Sequence, residues 1–139
     1  MISPTEVIVR RFCPSNPNHV STDDITGEMR LKSGALVLRK GETGVSVFRE
    51  ALLARMGFSP ASVAITGYEG IATAKISSIT DGTNLEVHAD PWPEGARPMP
   101  HIDAAHALIC APSAPSMSAA KKQLSIAARR FACIEVPAS

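Results

Sequence analysis

Residues 104–136, AAHALICAPSAPSMSAAKKQLSIAARRFACIEV, decide the fold class. Ala104 to Cys110 is apolar at nearly every position except His106, the pattern of a strand covered on both faces. Pro112 and Pro115 end that run, since proline offers no ladder donor. From Ser116 the period changes. Ala120, Leu124, Ala127 and Phe131 recur at helical spacing and form one apolar stripe, which predicts a helix over 116–132. Cys133 to Val136 predicts a last short strand.

Working upstream, residues 84–90 carry the clearest alternation in the chain. Leu85, Val87 and Ala89 point one way, while Asn84, Glu86, His88 and Asp90 point the other. This predicts a half-exposed strand, entered through the Asp81-Gly82 turn. Ile71 to Ile76 predicts another strand, followed by a helical turn over Ser77 to Thr80. Glu50 to Met56 predicts a short helix stopped by Gly57, and Ser59-Pro60 a further helical start. Ala35 to Leu38 and Val45 to Phe48, joined by Arg39 to Gly44, predict a hairpin. Val7 to Arg11 predicts a strand, and the prolines and asparagines of Cys13 to Asn18 a turn. Ser21 or Thr22 is placed to cap a helical turn through Ile25.

Four prolines between Pro91 and Pro100 exclude a helix or a central strand there, so 91–103 is expected as a loop. Neither flank is long enough to fold alone. At 139 residues the chain is therefore read as one domain over 1–139, with that loop inside it. Aromatics are only 4% of residues, so the core must be aliphatic. The formal charge of +1 supplies no global drive toward nucleic acid or anionic membrane.

Cys13, Cys110 and Cys133 are widely spaced, with no CxxC, which excludes a zinc ribbon and argues against a disulfide framework. Met1 to Arg11 contains no apolar signal-like region. No apolar stretch approaches the ~18 residues of a membrane span. A cytoplasmic location is expected.

The densest polar cluster is His88-Ala89-Asp90, His101-Ile102-Asp103 and His106. Imidazole and carboxylate side by side suit a metal or an acid–base pair. The competing reading is that His88 and Asp90, on the face of Asn84 and Glu86, simply meet water. His106 interrupts a buried run and therefore needs a hydrogen-bond partner or a function.

Arg39-Lys40-Gly41-Glu42-Thr43-Gly44, with Arg49 beyond, combines cations and glycines but lacks the P-loop spacing. Lys121, Lys122 and Arg129 lie opposite the apolar stripe of the last helix, which holds no acid between Ser116 and Ala132. That face suits phosphates or an acidic protein, or else simply solvent. No G-x-S-x-G, H-E-x-x-H or kinase-like motif is present.

The run Leu38 to Arg49, LRKGETGVSVFR, resembles a segment of small bacterial proteins in which GETG-SVF is followed by DP and then by HA-x-I and a proline. Here the later parts are Asp90-Pro91 and His106-Ala107-Leu108-Ile109 with Pro112. The resemblance implies a bacterial source and an accessory gene, carries no catalytic role, and singles out Asp90 and His106.

The expected architecture is α+β: a mixed sheet of five or six short strands, packed by the C-terminal amphipathic helix and one or two shorter helices. The expected function is a non-enzymatic, protein-binding accessory component of an immunity, antitoxin or defence type. Its contact residues are Trp92, Arg39, Arg49, Lys121, Lys122 and Arg129, and the basic helix leaves nucleic acid open as a partner. The alternative is a small hydrolase or nucleic-acid-processing enzyme with His106 as acid–base, Asp90 as its orienting group, and an arginine for substrate. No cofactor, metal or membrane partner is expected.

Overall fold

The computed structural model describes residues 2–39, 41–92 and 100–136, with Pro100, His101, Ile102 and Cys133 described by backbone alone. Its centre is β1 (Val7–Phe12), whose residues alternate between two buried faces. Around it lie β4 (Val45–Arg49), β5 (Gly70–Lys75), β6 (Glu86–Ala89), β7 (His106–Cys110) and β8 (Ala132–Glu135). They form one six-stranded sheet in the order β6-β7-β4-β1-β5-β8. Every pairing described in it is antiparallel, which sharpens the expected mixed sheet.

Both faces of the sheet are covered. On the first, Ile8, Phe12, Val47, Ala72 and Ile109 pack under α2 (Ile76–Thr80) and α4 (Met117–Ala128), which contribute Ile79, Leu124 and Ala127. On the second, Val9, Phe48 and Ile71 meet Leu53 of α1 (Glu50–Arg55), Val63, and Ala105 of α3 (Pro100–Ala105). Each such Leu, Ile or Phe side chain contributes roughly 1.5–3 kcal/mol by leaving water. The stripe read from the last helix is the buried one: Ala120, Leu124, Ala127 and Phe131 are all buried. The Ser116 hydroxyl caps this helix, accepting from the Ala119 N–H at 3.1 Å.

Three expectations are corrected. The hairpin over 35–48 does not form; Ser33–Ala35 is a 3-10 turn, and Leu36 and Leu38 are buried outside any strand. The physical reason is that β7 pairs with β4 along one edge and β1 with the end of the other, while on the side left open the Arg10 side chain takes the carbonyls of Ala35 and Ser46. The helical turn near Ile25 is instead the tip of a ribbon, β2 (Val20–Thr22) against β3 (Met29–Leu31). There Asp23 Oδ1 accepts from the N–H groups of Ile25 and Thr26, and Gly27 takes φ +72°. The loop expected over 91–103 becomes helical from Pro100, where proline's fixed φ suits a first turn. Its residues 93–99 lie outside the described residues. Among the described residues no helix is long and apolar enough to cross a membrane.

Candidate functional site

His106 opens β7 opposite Phe48 of β4, so its ring falls on the second face and is only 2% exposed. Ser46 shares that face, two residues before Phe48 and diagonal to His106. Asp90 follows β6 and donates its backbone N–H to the His106 carbonyl at 3.0 Å, which sets it beside the ring.

The ring is held at both nitrogens. Nδ1 lies 2.8 Å from the Asp90 carbonyl oxygen and 3.2 Å from Asp90 Oδ2. Nε2 lies 2.9 Å from Ser46 Oγ. A carbonyl and a carboxylate only accept, so Nδ1 must carry the proton and donate it. Nε2 is then a bare lone pair, and the Ser46 hydroxyl donates to it. This is the proton order that lets a histidine withdraw a proton from a serine. Trp92 stacks on the imidazole at 3.8 Å and Phe48 meets it edge-on at 5.9 Å, so the ring has one orientation.

Next to Ser46 the sheet splits. β1 and β4 share the pairs Ile8–Arg49 and Val9–Phe48, whereas β1 stays paired with β5 through Phe12. The guanidinium of Arg10 occupies the resulting fork. Its Nε donates to the Ala35 carbonyl at 2.9 Å and its Nη1 to the Ser46 carbonyl at 2.7 Å. A cavity of about 280 Å³ opens here, walled by Arg10, Arg11, Arg39, His19, Tyr68 and Ser46, among others.

Burial, and then the neighbouring Arg11, lower the Arg10 pKa to about 10, so it remains a cation at neutral pH. Burial and the Arg10 charge hold His19 below the usual imidazole range. His19 is accordingly suited to accept, as its Nδ1 does from the Cys13 N–H at 3.0 Å.

Of the residues singled out from sequence, Asp90 and His106 are brought together, and Arg39 joins the adjoining cavity. Arg49 is not part of it: both oxygens of Glu6 hold its guanidinium, at 2.7 and 3.1 Å. Trp92 is half-buried against His106. Lys121 and Lys122 are exposed on α4 and Arg129 at its C-cap, across the sheet from His106. His88 is exposed and bonded to Glu86 at 2.8 Å, and the side chain of His101 lies outside the described residues. Among the described residues no group of His, Cys, Asp or Glu is arranged to hold a metal ion. Burial, then Glu86 and Asp90, raise the Cys110 thiol, which disfavours its thiolate.

Sequence reasoning missed Ser46 and Arg10. Their signals were a hydroxyl between Val45 and Val47 and two adjacent cations, Arg10 and Arg11, inside an otherwise apolar strand. The glycine of the GETG segment has a packing role: a Cβ on Gly44 would stand 2.8 Å from the Ile109 carbonyl oxygen. Comparison with family models, curated proteins and solved structures found no match.

Proposed function

We propose that this chain is a small hydrolase with Ser46 as nucleophile, His106 as general base and acid, and Asp90 as the group that orients His106. The observation that carries this reading is the His106 ring bonded to Asp90 through Nδ1 and to Ser46 through Nε2. Ser46 also lines the cationic cleft.

In the proposed reaction Ser46 Oγ attacks the acyl carbon of an ester while its proton passes to His106 Nε2. Asp90 stabilises the imidazolium through Nδ1–H. The bond to the leaving group breaks, and the leaving oxygen takes the proton from His106. Water then repeats the sequence on the acyl-serine, releasing the acid and restoring the Ser46 hydroxyl. Arg10 and Arg39 supply positive charge where the carbonyl oxygen becomes negative.

The test is labelling with a fluorophosphonate, read by intact-mass spectrometry, alongside turnover of short-chain nitrophenyl esters. A single adduct mapping to Ser46, lost in Ser46→Ala and His106→Ala, supports the reading. Failure to label, or an adduct that persists in Ser46→Ala, contradicts it.

A second reading keeps the chain as a protein-binding accessory component of a bacterial cytoplasmic system. It rests on the exposed cations Lys121 and Lys122 of α4 and Arg129 at its C-cap, which would face an acidic partner or nucleic acid. Reversing these three charges abolishes function under that reading and leaves ester turnover intact under the first.

A further inference from the structure

The β2–β3 ribbon is a sheet of its own, and β3 borders a groove of about 900 Å³. The consecutive residues Gly27 to Lys32 form one wall of it, while Ala132 and Ile134 of β8, an edge strand of the main sheet, contribute to another. Successive side chains of a strand point to opposite faces, so a wall built from all of them is the strand's edge.

The ladder fixes where the backbone groups of β3 point. The Asp23 N–H donates to the Glu28 carbonyl and the Lys32 N–H to the His19 carbonyl, each at 2.8 Å. In an antiparallel pair such bonds recur at every second residue, so Glu28, Arg30 and Lys32 turn their N–H and C=O toward β2. Met29 and Leu31 turn theirs outward, where among the described residues no strand pairs with them. An open edge of this kind is a template for another extended chain.

Charge and polarity narrow the chain that fits. Lys121, Ser125 and Arg129 follow one another at helical spacing along α4 and its C-cap. Ser125 and Arg129 line the groove, and Lys121 lines an adjoining cavity of about 350 Å³ that shares Ser33 and Ser125 with it. Lys32 adds a cation whose Nζ is bonded to the neutral Pro17 carbonyl at 2.8 Å. Arg30 already faces Glu28 at 3.8 Å, and that pair is neutral as a whole. Among the described residues Lys32, Lys121 and Arg129 have no carboxylate at ion-pair distance.

The same walls present apolar surface: half-buried Met29 and Ile134, and Val37, which is 47% exposed. A phosphodiester strand would leave this surface uncovered and would bring bases that stack on exposed rings. Phe131, the aromatic residue lining the groove, is buried.

We propose that this groove binds an extended segment of a partner protein, rich in acidic and aliphatic residues, along the open edge of β3. The backbone of the segment bonds to Met29 and Leu31, its carboxylates meet Lys32 and Arg129, and its aliphatic side chains cover Met29 and Ile134. This deepens the protein-binding reading by giving it a concave surface, and it stands apart from the Ser46 centre, whose side chains lie on the other face of the sheet.

The test is selection of a random-peptide phage library on the immobilised full chain, followed by titration of a selected peptide into the 15N-labelled protein. The expected peptides are rich in aspartate and glutamate among aliphatic residues, and the titration shifts the Met29 and Leu31 amides saturably. Arg129→Ser, at an exposed position, weakens the peptide about 10-fold, while Lys122→Ser, on α4 outside the groove, leaves its affinity within about a factor of two. A library that yields no acidic peptide, or Met29 and Leu31 amides that stay in place, overturns the proposal. Equal weakening by Lys122→Ser also overturns it, by placing the partner on the exposed helix face, which separates the groove from the broader protein-binding reading. Oligothymidylate bound more tightly than the peptide overturns it in favour of nucleic acid. Each of these failures leaves fluorophosphonate labelling of Ser46 as an independent result.

Discussion

Arg49 and Arg10 lie on the same face of the sheet and meet opposite fates. Arg49 pairs with Ile8 in register and is neutralised by Glu6 through two charge-assisted bonds. Arg10, two residues further along β1, is held by the carbonyls of Ala35 and Ser46 and keeps its charge. The first arrangement is complete in itself and serves the fold. The second leaves a guanidinium whose bonds go to backbone carbonyls, with no carboxylate at ion-pair distance among the described residues.

The largest expected effect separates the catalytic relay from Arg49. Ser46→Ala or His106→Ala lowers ester turnover by about 10⁴-fold or more. Arg49→Ala leaves kcat/KM within a small factor of the parent, measured on protein shown to be folded. A loss with Arg49→Ala as deep as with Ser46→Ala would break the distinction.

Stability reverses the order. Removing Arg49 leaves Glu6, whose side chain is only 11% exposed, without its partner, and costs about 2 kcal/mol by urea denaturation. The double change Glu6→Gln with Arg49→Met recovers most of that loss, because no unpaired charge is left behind.

Arg10→Met sharpens the comparison from the other side. It lowers kcat for an ester about 10-fold with little change in KM, since positive charge near the carbonyl oxygen acts on the transition state. An unchanged kcat would remove Arg10 from the reacting carbonyl.

The smallest effect is on pH. Burial and Arg10 hold folded His19 below its usual range, so the unfolded chain takes up that proton first as pH falls. The contribution of His19 is therefore present above the unfolded imidazole range and lost as pH falls through the lower, folded value. Between about pH 7 and pH 5 the parent loses slightly more stability than His19→Gln does. Because His19 is partly exposed, the difference is a degree or two in Tm. Equal slopes in the two proteins would show that the positive field of the cleft does not reach His19.

What was legible in the sequence was local. The alternation over 84–90 and the stripe of Ala120, Leu124 and Ala127 are periods that a strand or helix imposes on its own residues, and both appear in the structure. Asp90 and His106 were legible because adjoining strands place residues near in sequence side by side. Ser46 and His106 are 60 positions apart, and Arg10 and Ser46 36 apart. Which strand neighbours β4, and where β1 leaves it, is set by tertiary packing and leaves no period to read. The β2–β3 ribbon escaped notice because each strand is three residues long and its turn is held by one Asp23 side chain.

The account turns on where the proton of His106 sits. Long-range 1H–15N correlation of the histidine side chains, at about pH 8, reads this directly. The structure requires His106 with its proton on Nδ1, shielded from exchange by Trp92 and Asp90, and a bare Nε2 whose shift moves in Ser46→Ala. A proton on Nε2 would make His106 a donor to Ser46, a buried structural contact with no capacity to activate the hydroxyl, and would contradict the account.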